Sequence, residues 1–338
     1  MEIFNNSQKK WLVTGCAGFI GSNLLEYLLQ NNQKVVGLDN FSTGFQHNLN
    51  EVKEIVGNEK WANFTFIEGD IRHFDNCVKA TKNVDIILHQ AALGSVPRSI
   101  ADPITTHDVN VSGFVNMLKA AVDNKVQRFV YASSSSVYGD HPELPKIEKN
   151  IGQQLSPYAV GKYCDELYAQ VFSKNYGIET IGLRYFNVFG RNQDPGGAYA
   201  AVIPKFVAQF LRHESPVING DGNFSRDFTY IDNVVQMNEL AMLTDNPEAV
   251  NTVYNTAFGE RTTLNELVHT LKEFLSVYDE KIATIPIVYG ENRVGDIPHS
   301  LASIDKASRL LNYQPQFSMR AGLKEAVAWY WDNLNGEK

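Results

Sequence analysis

The sequence predicts an α/β fold with a doubly wound, parallel sheet. Short apolar segments alternate with amphipathic, helix-forming segments through the first 187 residues. A glycine-rich turn joins the first strand to the first helix, and polar residues follow the ends of several later strands. Alternation of this kind is typical of βαβ units, whose strands lie parallel and whose helices cover both faces of the sheet.

Buried strands are predicted where short runs are apolar and rich in branched and aromatic residues. These runs are WLVTG, KVVGLD, FTFIEGD, DIILHQAA, RFVYASS and ETIGLRYFN. Helices are predicted between them, including one that ends near Leu29, one over 109–122 and one that contains Tyr158. RAGLKEAVAWYWDNL has apolar residues at helical spacing and predicts a terminal helix whose aromatic side packs inward.

The turn after the first strand reads GCAGFIG and is typical of a dinucleotide site. Gly15 permits a tight turn, Gly18 lets backbone N–H groups approach a pyrophosphate, and Gly21 lets the helix pack against the strand. Phe19 and Ile20 belong to the same predicted contact with the cofactor. The spacing G-x-x-G-x-x-G differs from the G-x-G-x-x-G fingerprint, so the interpretation also depends on the flanking strand and helix.

The residue that ends the second predicted strand indicates which dinucleotide binds. Asp39, followed by Asn40, stands where a carboxylate accepts hydrogen bonds from the hydroxyls of the adenosine ribose. A 2'-phosphate would meet like charge there, and no arginine follows immediately. The sequence therefore favours NAD over NADP.

Later strand ends supply further candidate contacts, because ligands bind outside the carboxyl ends of parallel strands. Asp70 and Ile71 follow the third predicted strand and are expected to meet adenine. Asn110 lies early in a helix, where it either buttresses the active site or makes a cap or core hydrogen bond. The pyrophosphate or a ribose would meet the residues after the fourth strand, which are Gln90, Ala91 and Ala92.

Proton-transfer chemistry is predicted by SPYAVGK, in which Tyr158 and Lys162 are four residues apart and share one helical face. The ammonium of Lys162 would stabilise a phenolate near neutral pH. Ser156 and Pro157 are expected as N-cap and first helical residue, which places Tyr158 near the positive end of the helix. A hydroxyl from the serine run at 133–136 would share the proton.

Composition indicates an ordinary globular chain, with 338 residues of which 43% are hydrophobic. No apolar run approaches the ~18 residues of a membrane-spanning helix, and the first residues lack the layout of a signal peptide. We therefore expect a cytoplasmic protein with no membrane partner. A net charge of −8 gives no nucleic-acid footprint. Cys16, Cys77 and Cys164 lack metal-binding spacing, so reduced thiols and no metal site are expected.

The composition of the sequence changes after Asn187, where longer predicted loops containing glycine and proline begin. We expect an NAD-binding domain of the Rossmann type over 1–187 and a smaller, discontinuous α/β substrate domain over 188–338. SRDFTYIDNV and NTVYNTAFGE have the composition of strands. Segments near 228–260 are therefore expected to return to the first domain.

Taken together, these residues resemble the extended branch of the short-chain dehydrogenase/reductase family, from Trp11 to about Trp331. Within that branch the chain is similar to UDP-hexose 4-epimerases, and most to the bacterial subgroup acting on UDP-N-acetylglucosamine and UDP-N-acetylgalactosamine. NVFGRNQDPGGAYAAVIPKF and VGDIPHSLASIDKA carry that narrower likeness. The broader one is carried by TGCAGFIGS, Asp39-Asn40, Asp70-Ile71, HQAA, SSSSVYG, Tyr158-x-x-x-Lys162, RYFNVFG and RDFTYIDNV.

The resemblance implies a mechanism. Tyr158 would take the proton of the sugar 4-hydroxyl while hydride moves from C4 to NAD, and the 4-keto sugar would turn over before hydride returns to its opposite face. Lys162 would bind the nicotinamide ribose, and the family's catalytic serine or threonine falls on Ser134 or Ser135. Related 4,6-dehydratases need a carboxylic acid just after that residue, where this chain has Ser135 and Ser136, which argues against dehydration.

The resemblance also implies contacts to a UDP-sugar. Arg226 and Arg293 match arginines that clamp the diphosphate through paired hydrogen bonds, although an isolated arginine is more often in a surface salt bridge, here for example with Asp227. Asp296 matches a carboxylate that accepts from the uridine ribose. The other implied contacts are Asn187 for a phosphate oxygen, Val202, Lys205 and Asn219 for uridine, Tyr185 and Val188 for the nicotinamide side, and Ser95 and Arg98 for the sugar.

Ser300 bears on substrate choice. It matches a position where a bulky tyrosine narrows the sugar pocket in epimerases restricted to non-acetylated UDP-sugars, so a serine leaves room for a 2-N-acetyl group. If the register is off by one residue, His299 or Leu301 faces the sugar instead. The expected substrate is a UDP-N-acetylhexosamine.

Two other functions remain open at this point. One is epimerisation of UDP-glucuronate or UDP-glucose by the same chemistry, although no unambiguous arginine for a C6 carboxylate is found. The other is a non-catalytic NAD-binding regulator on the same fold, which should have lost Tyr158 or Lys162. The resemblance further implies a homodimer that pairs the helices beginning near Asn110 and Tyr158.

Overall fold

The order of strands and helices is described for residues 9–196, 201–291 and 297–334 in a computed structural model of the protein. The strands are β1 Lys10–Thr14, β2 Lys34–Asp39, β3 Phe64–Glu68, β4 Ile86–His89, β5 Arg128–Ser134, β6 Glu179–Tyr185, β7 Val188–Phe189, β8 Val217–Asn219, β9 Ser225–Arg226, β10 Thr229–Tyr230, β11 Thr252–Thr256, β12 Thr262–Thr263 and β13 Val288–Gly290.

The α-helices are α1 Phe19–Gln30, α2 Gln46–Trp61, α3 Phe74–Thr81, α4 Val96–Ala101, α5 Pro103–His107, α6 Gly113–Asp123, α7 Pro157–Tyr176, α8 Val202–Leu211, α9 Ile231–Leu243, α10 Leu264–Leu275, α11 Asp305–Leu311 and α12 Met319–Leu334. Short helical turns of other types are a π-helical turn at Asp108–Ser112 and 3-10 turns at Ser135–Tyr138 and Glu280–Thr284.

The central sheet has seven parallel strands in the order β3-β2-β1-β4-β5-β6-β11. In its middle, Val13 of β1 pairs with Gly37 of β2 on one side and Leu88 of β4 on the other. The chain leaves β1 in one direction to reach β3 and then returns to β4 on the opposite side. This reversal opens a crevice at the carboxyl ends of β1 and β4, which is where ligands bind in such sheets.

Alternation along β1 separates two cores on the two faces of the sheet. Leu12 packs in a cluster with Phe114 and Phe129, and Val13 belongs to a second and larger cluster. That larger cluster continues into α8, α9, α10 and α12, whose fully or nearly fully buried members include Phe206 and Leu271. The second half of the chain therefore packs on the same core as one face of the sheet.

The predicted fold class and the predicted strands of the first half are confirmed. The prediction for SRDFTYIDNV is only partly correct, because β9 and β10 are two residues each and α9 begins at Ile231. Asp232 lies in the first turn of α9, and Ile231, Val234 and Asn238 are buried at helical spacing. By contrast, NTVYNT forms β11, which pairs with β6 and becomes an edge strand of the sheet.

The helix that carries the predicted proton-transfer residues begins as expected. Ser156 is the N-cap of α7, its hydroxyl accepts from the backbone N–H of Ala159 at 3.1 Å, and Pro157 follows in the first turn. Gly177 ends the helix in the left-handed conformation, with φ +76°. These caps fix the register of α7, so Tyr158 lies in its first turn at the carboxyl edge of the sheet.

Candidate active site

An open cleft of about 430 Å³ lies at the carboxyl ends of the central strands. Its volume is within the ordinary range for small-molecule sites. The predicted residues that line it are Gly15, Gly18, Phe19, Ile20, Gly21, Asp39, Asn40, Asp70, Ile71, Gln90, Ala91, Ala92, Ser134, Tyr158, Lys162, Tyr185, Asn187 and Val188. Parallel strands bring these residues together although they come from the ends of six different strands and from the start of α7.

The glycine turn leaves no space for side chains. Gly15 has φ +68°, and a Cβ there would lie 2.9 Å from the backbone nitrogen of Ala91. A Cβ on Gly21 would lie 2.0 Å from the carbonyl oxygen of Gly15, so α1 packs directly on the turn. The backbone N–H groups at the start of α1 are consequently exposed to the cleft, where the positive end of the helix favours an anion such as a pyrophosphate.

Asp39 lies at the end of β2 with its carboxylate held by the backbone. Its Oδ2 accepts from the N–H of Ala17 at 2.9 Å, and its Oδ1 accepts from the N–H of Phe41 at 2.8 Å. Burial raises the pKa of Asp39, while these backbone donors oppose the rise. The carboxylate has further lone pairs on the cleft side, which fits the predicted contact with ribose hydroxyls.

Asn40 and Asp70 form a second acceptor cluster beside Asp39. The amide of Asn40 donates to Asp70 Oδ2 at 2.9 Å, and the guanidinium of Arg72 donates to the same oxygen at 2.7 Å. The Arg72 hydrogen bond lowers the pKa of Asp70 to about 2. Arg72 was not predicted, and its pairing with Asp70 fixes the loop after β3.

Gln90 supplies a free donor in the same cleft. Its Oε1 accepts from the phenol of Tyr185 at 3.1 Å, whereas its buried Nε2 has no hydrogen-bond partner among the described residues. The loop is tied to β1, because Thr14 Oγ1 accepts from the N–H groups of Gln90 and Ala91 at 3.2 Å. The glycine turn, the carboxylate of Asp39 and the unpaired buried amide of Gln90 together fit a dinucleotide.

Tyr158 and Lys162 both line the cleft from α7. Lys162 is 2% exposed. Its ammonium donates to the carbonyl oxygen of Ala132 at 3.0 Å and to Asp165 Oδ2 at 3.3 Å. His89, completely buried, has its pKa lowered to about 3 by burial and by the charge of Lys162. The ammonium of Lys162 is therefore fixed near the end of β5, and Lys162 lines the same cleft as Tyr158, the predicted base.

The serines of the run at 133–136 make different contacts. Ser134 lines the cleft, and its hydroxyl accepts from the N–H of Ser136 at 3.2 Å. Ser133 donates to Glu166 Oε1 at 2.6 Å. Ser135 begins the following 3-10 turn and is not among the residues that line the cleft. Of the predicted pair, the fold thus places Ser134 with Tyr158 and Lys162.

Asn110 lies behind the cleft and does not line it. It is 2% exposed, its Oδ1 accepts from the N–H of Leu93 at 2.7 Å, and its Nδ2 donates to the carbonyl oxygen of Leu93 at 3.0 Å. Leu93 itself lines the cleft. Asn110 therefore supports the loop after β4, which is the buttressing alternative of its prediction.

Three of the candidate substrate residues, Asn187, Arg226 and Ser300, lie in segments around Asp227, which is fully buried. Its carboxylate accepts from the N–H groups of Phe258, Gly259 and Ala302 at 3.2–3.3 Å. Burial raises the pKa of Asp227 to about 7, although the three N–H groups favour its charged form. The amide of Asn187 donates to the carbonyl oxygen of Asp227 at 3.0 Å, which joins this centre to the cleft.

Arg226 and Ser300 lie next to this centre. The guanidinium of Arg226 donates to the carbonyl oxygens of Ser225 at 3.0 Å and Pro298 at 3.2 Å. The N–H of Ser300 donates to the carbonyl oxygen of Ser225 at 3.0 Å, and Ser225 Oγ lies 2.9 Å from His299 Nδ1. The segments that carry Arg226 and Ser300 are thereby fixed to each other.

Several predicted substrate residues do not line the described cleft. Ser95 is the N-cap of α4 and accepts from the N–H of Arg98 at 3.3 Å, outside the lining set. Arg293 and Asp296 lie outside the described residues. The others lie farther along the chain: Val202 and the exposed Lys205 on α8, and the exposed Asn219 on β8.

Part of the cleft wall consists of residues that were not predicted from the sequence. Ser42, Thr43 and Gly44 belong to the loop after β2, and Gln193 reaches the cleft from the loop after β7. The position of 42–44 directly after a strand end was a usable signal. The other unpredicted lining residues are Leu38, Gly69, Leu93, Gly94, Val109, Ala132 and Ser133.

Among residues 9–196, 201–291 and 297–334, histidines, cysteines and carboxylates do not converge in a group of three or more that could hold a metal ion. Within the same described ranges, no helix has the length and apolar character needed to span a bilayer.

Comparison with known proteins places the chain among nucleotide-sugar enzymes. The NAD dependent epimerase/dehydratase family matches residues 11–257. A putative UDP-glucose 4-epimerase of Methanocaldococcus jannaschii is 36% identical over 324 residues, covering 95% of this chain and 98% of that protein. A UDP-glucuronate 4-epimerase of Thermodesulfobacterium geofontis is 31% identical, covering 96% of this chain and 97% of that protein.

A solved structure shows the same fold over nearly its whole length. The UDP-N-acetylglucosamine 4-epimerase from Methanobrevibacter ruminantium, in complex with UDP-N-acetylmuramic acid, has a TM-score of 0.88 and 37% sequence identity. The match covers 96% of this chain and 99% of that chain. The names of these relatives agree on 4-epimerisation and differ in the UDP-sugar.

Proposed function

We propose, from the premise that this chain belongs to the NAD dependent epimerase/dehydratase family, that it is a UDP-sugar 4-epimerase. We further propose that UDP-N-acetylglucosamine and UDP-N-acetylgalactosamine are its preferred substrate pair. The observation that carries the proposal is the presence of Tyr158, Lys162 and Ser134 on the wall of one cleft with the glycine turn. Relatives named as 4-epimerases that cover almost the whole chain support the reaction class.

In this proposal Tyr158 moves the proton of the sugar 4-hydroxyl. Its position in the first turn of α7 places its phenol near the positive helix end, which favours the phenolate. Lys162, four residues later on the same face, supplies a fixed positive charge. Ser134 supplies a hydroxyl that hydrogen-bonds the reacting oxygen and holds it toward Tyr158.

The cofactor of this family is NAD, and the residues of the cleft fit it. Gly15, Gly18 and Gly21 would hold the pyrophosphate against the start of α1, and Asp39 would accept from the adenosine ribose. Gln90 would donate its unpaired amide N–H. When bound, NAD supplies a hydride acceptor and donor, so that C4 is inverted without net oxidation. Asn40, Asp70 and Tyr185 complete the polar wall.

The substrate diphosphate needs cationic donors on the other side of the cleft. Arg226 is supported there by its contact with the segment that carries Ser300, and Asn187 reaches the cleft itself. Arg293 and Asp296 are proposed as further diphosphate and uridine ribose contacts on the basis of the sequence alone. Val202, Lys205 and Asn219 are proposed for uridine, and Ser95 and Arg98 for the sugar, on the same basis.

The choice of an acetylated sugar depends on Ser300. A small side chain at this position leaves volume where a tyrosine would narrow the pocket. Support comes from the solved UDP-N-acetylglucosamine 4-epimerase, which is 37% identical to this chain. The second candidate, UDP-glucuronate or UDP-glucose, is supported by the names of the two other relatives, which are 31% and 36% identical.

We also propose that the protein is a cytoplasmic homodimer. Large apolar side chains on α7 are exposed at helical spacing, among them Val160, Leu167 and Val171. Ile100 and Ile104, on the neighbouring α4 and α5, are also exposed. An apolar surface of this kind favours burial against a second copy. The exposed residues of the helical segment at 108–123 are polar, so we assign the contact to α7 with α4 and α5.

The proposal is tested by incubating the purified protein with each UDP-sugar and analysing the sugar nucleotides by proton NMR. UDP-N-acetylglucosamine without added NAD is the first substrate, and UDP-N-acetylgalactosamine is the expected product. UDP-glucose and UDP-glucuronate are run in parallel. Conversion of UDP-glucuronate alone would contradict the substrate assignment and keep the mechanism. Inactivity on all three sugars, even with NAD supplied, would favour a non-catalytic NAD-binding regulator.

A further inference from the structure

Two neighbouring carboxylates on α7 face into the protein just after Lys162. Asp165 is 0% exposed and Glu166 is 5% exposed. Burying a carboxylate is unfavourable unless a cation and enough donors compensate for the lost water. Asp165 and Glu166 differ in how many hydrogen-bond donors their carboxylates have.

Glu166 is fully compensated. Its Oε1 accepts from Arg184 Nε at 2.8 Å and from Ser133 Oγ at 2.6 Å, and its Oε2 accepts from Arg184 Nη2 at 2.7 Å. Paired hydrogen bonds of this geometry hold a guanidinium and a carboxylate rigidly. Glu166 and Arg184 therefore form a neutral structural unit between α7 and β6.

Asp165 is compensated at one oxygen only. Its Oδ2 lies 3.3 Å from Lys162 Nζ, and its buried Oδ1 has no hydrogen-bond partner among the described residues. Its charged form therefore depends on Lys162. The same ammonium is the cation that faces the cleft beside Tyr158. One positive charge is thus shared between a buried carboxylate and the proposed catalytic phenol.

We propose that Asp165 is a positioning residue that sets how much of the Lys162 charge acts on Tyr158. An ionised Asp165 holds the ammonium and cancels much of its field, so a phenolate at Tyr158 gains less stabilisation. A protonated Asp165 leaves the full charge of Lys162 to the cleft. This inference rests on the proposed roles of Tyr158 and Lys162.

The electrostatic surroundings allow Asp165 to change its charge near neutral pH. Burial raises the pKa of Asp165 to about 7, while the charge and hydrogen bond of Lys162 oppose the rise and the charge of Glu166 adds to it. The other titratable groups that interact with Asp165 or Lys162 are Cys164 on α7, Tyr131 on β5 and His89 on β4, and Arg184 on β6 acts on Glu166 and Tyr131. Arg184 is already paired with Glu166, and His89 is neutral because its pKa lies near 3.

The test replaces Asp165 with asparagine and follows the phenolate of Tyr158 directly. Asp165→Asn keeps the shape and an oxygen acceptor for Lys162 but carries no negative charge. An ultraviolet difference titration of each protein against its Tyr158→Phe counterpart isolates the ionisation of Tyr158 from that of the other tyrosines. We expect the titration midpoint in Asp165→Asn to be lower by roughly one pH unit, as expected for removing a nearby charge at intermediate dielectric.

Stability provides a readout that does not depend on activity. Because the pKa of Asp165 is raised in the folded state from an ordinary value of 3.8, the wild type should lose stability as the pH rises from about 4 to about 7. Asp165→Asn should lack this component, so its Tm should rise relative to the wild type across that interval. Asp123→Asn, which removes an exposed carboxylate paired with Lys119 on α6, is the matched control and should change neither measurement.

The outcomes separate the inference from the proposed function. Identical Tyr158 midpoints in the wild type and Asp165→Asn would overturn the inference, even if an alanine at 165 reduced activity by loosening Lys162. If Asp165→Asn does not fold, the smaller neutral variant Asp165→Ser is titrated in the same way. Failure of the wild type to convert any UDP-sugar would instead overturn the proposed function, whatever the titration shows.

Discussion

The proposed cofactor-binding and substrate-binding sides of the site are built in different ways. The cofactor wall, which we define by Gly15, Gly21, Asp39 and Gln90, lies directly after the carboxyl ends of β1, β2 and β4. Its shape follows from strand order and from short local motifs. Each of its residues can be placed once the sheet is known.

The substrate wall, our name for the proposed substrate-binding side made of Asn187, Arg226 and residues 298–302, has no such scaffold. Of these residues, Asn187 lines the described cleft and the others lie behind it in the chain segments around Asp227. The segments of the substrate wall are held by hydrogen bonds to Asp227, whose partner Ala302 is 75 positions away in the chain. The cofactor wall is therefore supported by a continuous sheet. The substrate wall is supported by hydrogen bonds to the buried carboxylate of Asp227 and between the segments that carry Arg226 and Ser300. Changes in the substrate wall should alter substrate binding while NAD binding persists. Tyr158 lines the same cleft as the cofactor wall and Asn187.

Removing the phenol of Tyr158 should have the largest effect. Tyr158→Phe should lower kcat for epimerisation by roughly a thousandfold, since a positioned acid-base group contributes about 10² to 10⁴. NAD content and Tm should stay near the wild-type values, because neither wall depends on that hydroxyl. NMR of the product and the absorbance of the released cofactor measure the two quantities.

Tyr176→Phe is the control for Tyr158→Phe. Tyr176 is exposed at the end of the same helix, so it should keep full activity. A Tyr158→Phe enzyme with more than a tenth of wild-type kcat would show that another group moves the proton.

Adding a methyl group to the cofactor wall should lower both the free energy of unfolding and the amount of bound NAD. In Gly21→Ala the new Cβ would lie 2.0 Å from the carbonyl oxygen of Gly15, and backbone must move to accept it. We expect a loss of stability of about 1–3 kcal/mol or more, typical of overpacking, and a purified protein largely free of NAD. Gly161→Ala is the control, because its Cβ meets its nearest atom at 3.5 Å. Normal NAD content in Gly21→Ala would contradict the tight cradle.

Removing the central acceptor should affect the substrate wall alone. Asp227→Ala leaves the N–H groups of Phe258, Gly259 and Ala302 without their carboxylate, at a cost of about 1–3 kcal/mol for each buried donor that stays unpaired. We expect a lower Tm and a KM for the UDP-sugar raised roughly tenfold, with NAD content unchanged. Loss of NAD from this variant would contradict the expectation that the substrate wall can change without affecting NAD binding.

The most selective predicted effect, on one substrate and not on stability or NAD binding, concerns substrate choice. Ser300→Tyr should lower kcat/KM for UDP-N-acetylglucosamine by roughly ten- to a hundredfold, in the range for steric discrimination in a pocket. The rate with UDP-glucose should fall much less, and that substrate is the internal control. An equal loss with both sugars would mean that Ser300 supports the wall without selecting the acetamido group.

Much of the fold and half of the site were predictable from local patterns. The glycine turn, the strand-end residues Asp39 and Gln90, and the capped start of α7 all depend on residues adjacent in sequence. The predicted fold class, the family and the cofactor NAD are confirmed. Parallel pairing then brings those local features to one edge without further information.

The sequence by itself determined the α/β alternation, the register of α7 and the types of side chain at the strand ends, because helical and strand periodicities are local properties. Only the tertiary structure shows that Ser133 donates to Glu166 while Ser134 accepts from Ser136, and that Asp227 joins three distant segments. Hydrogen bonds between segments far apart in the chain leave no periodic trace in the sequence. The sharing of Lys162 between Tyr158 and Asp165 became visible only when the burial of α7 was known.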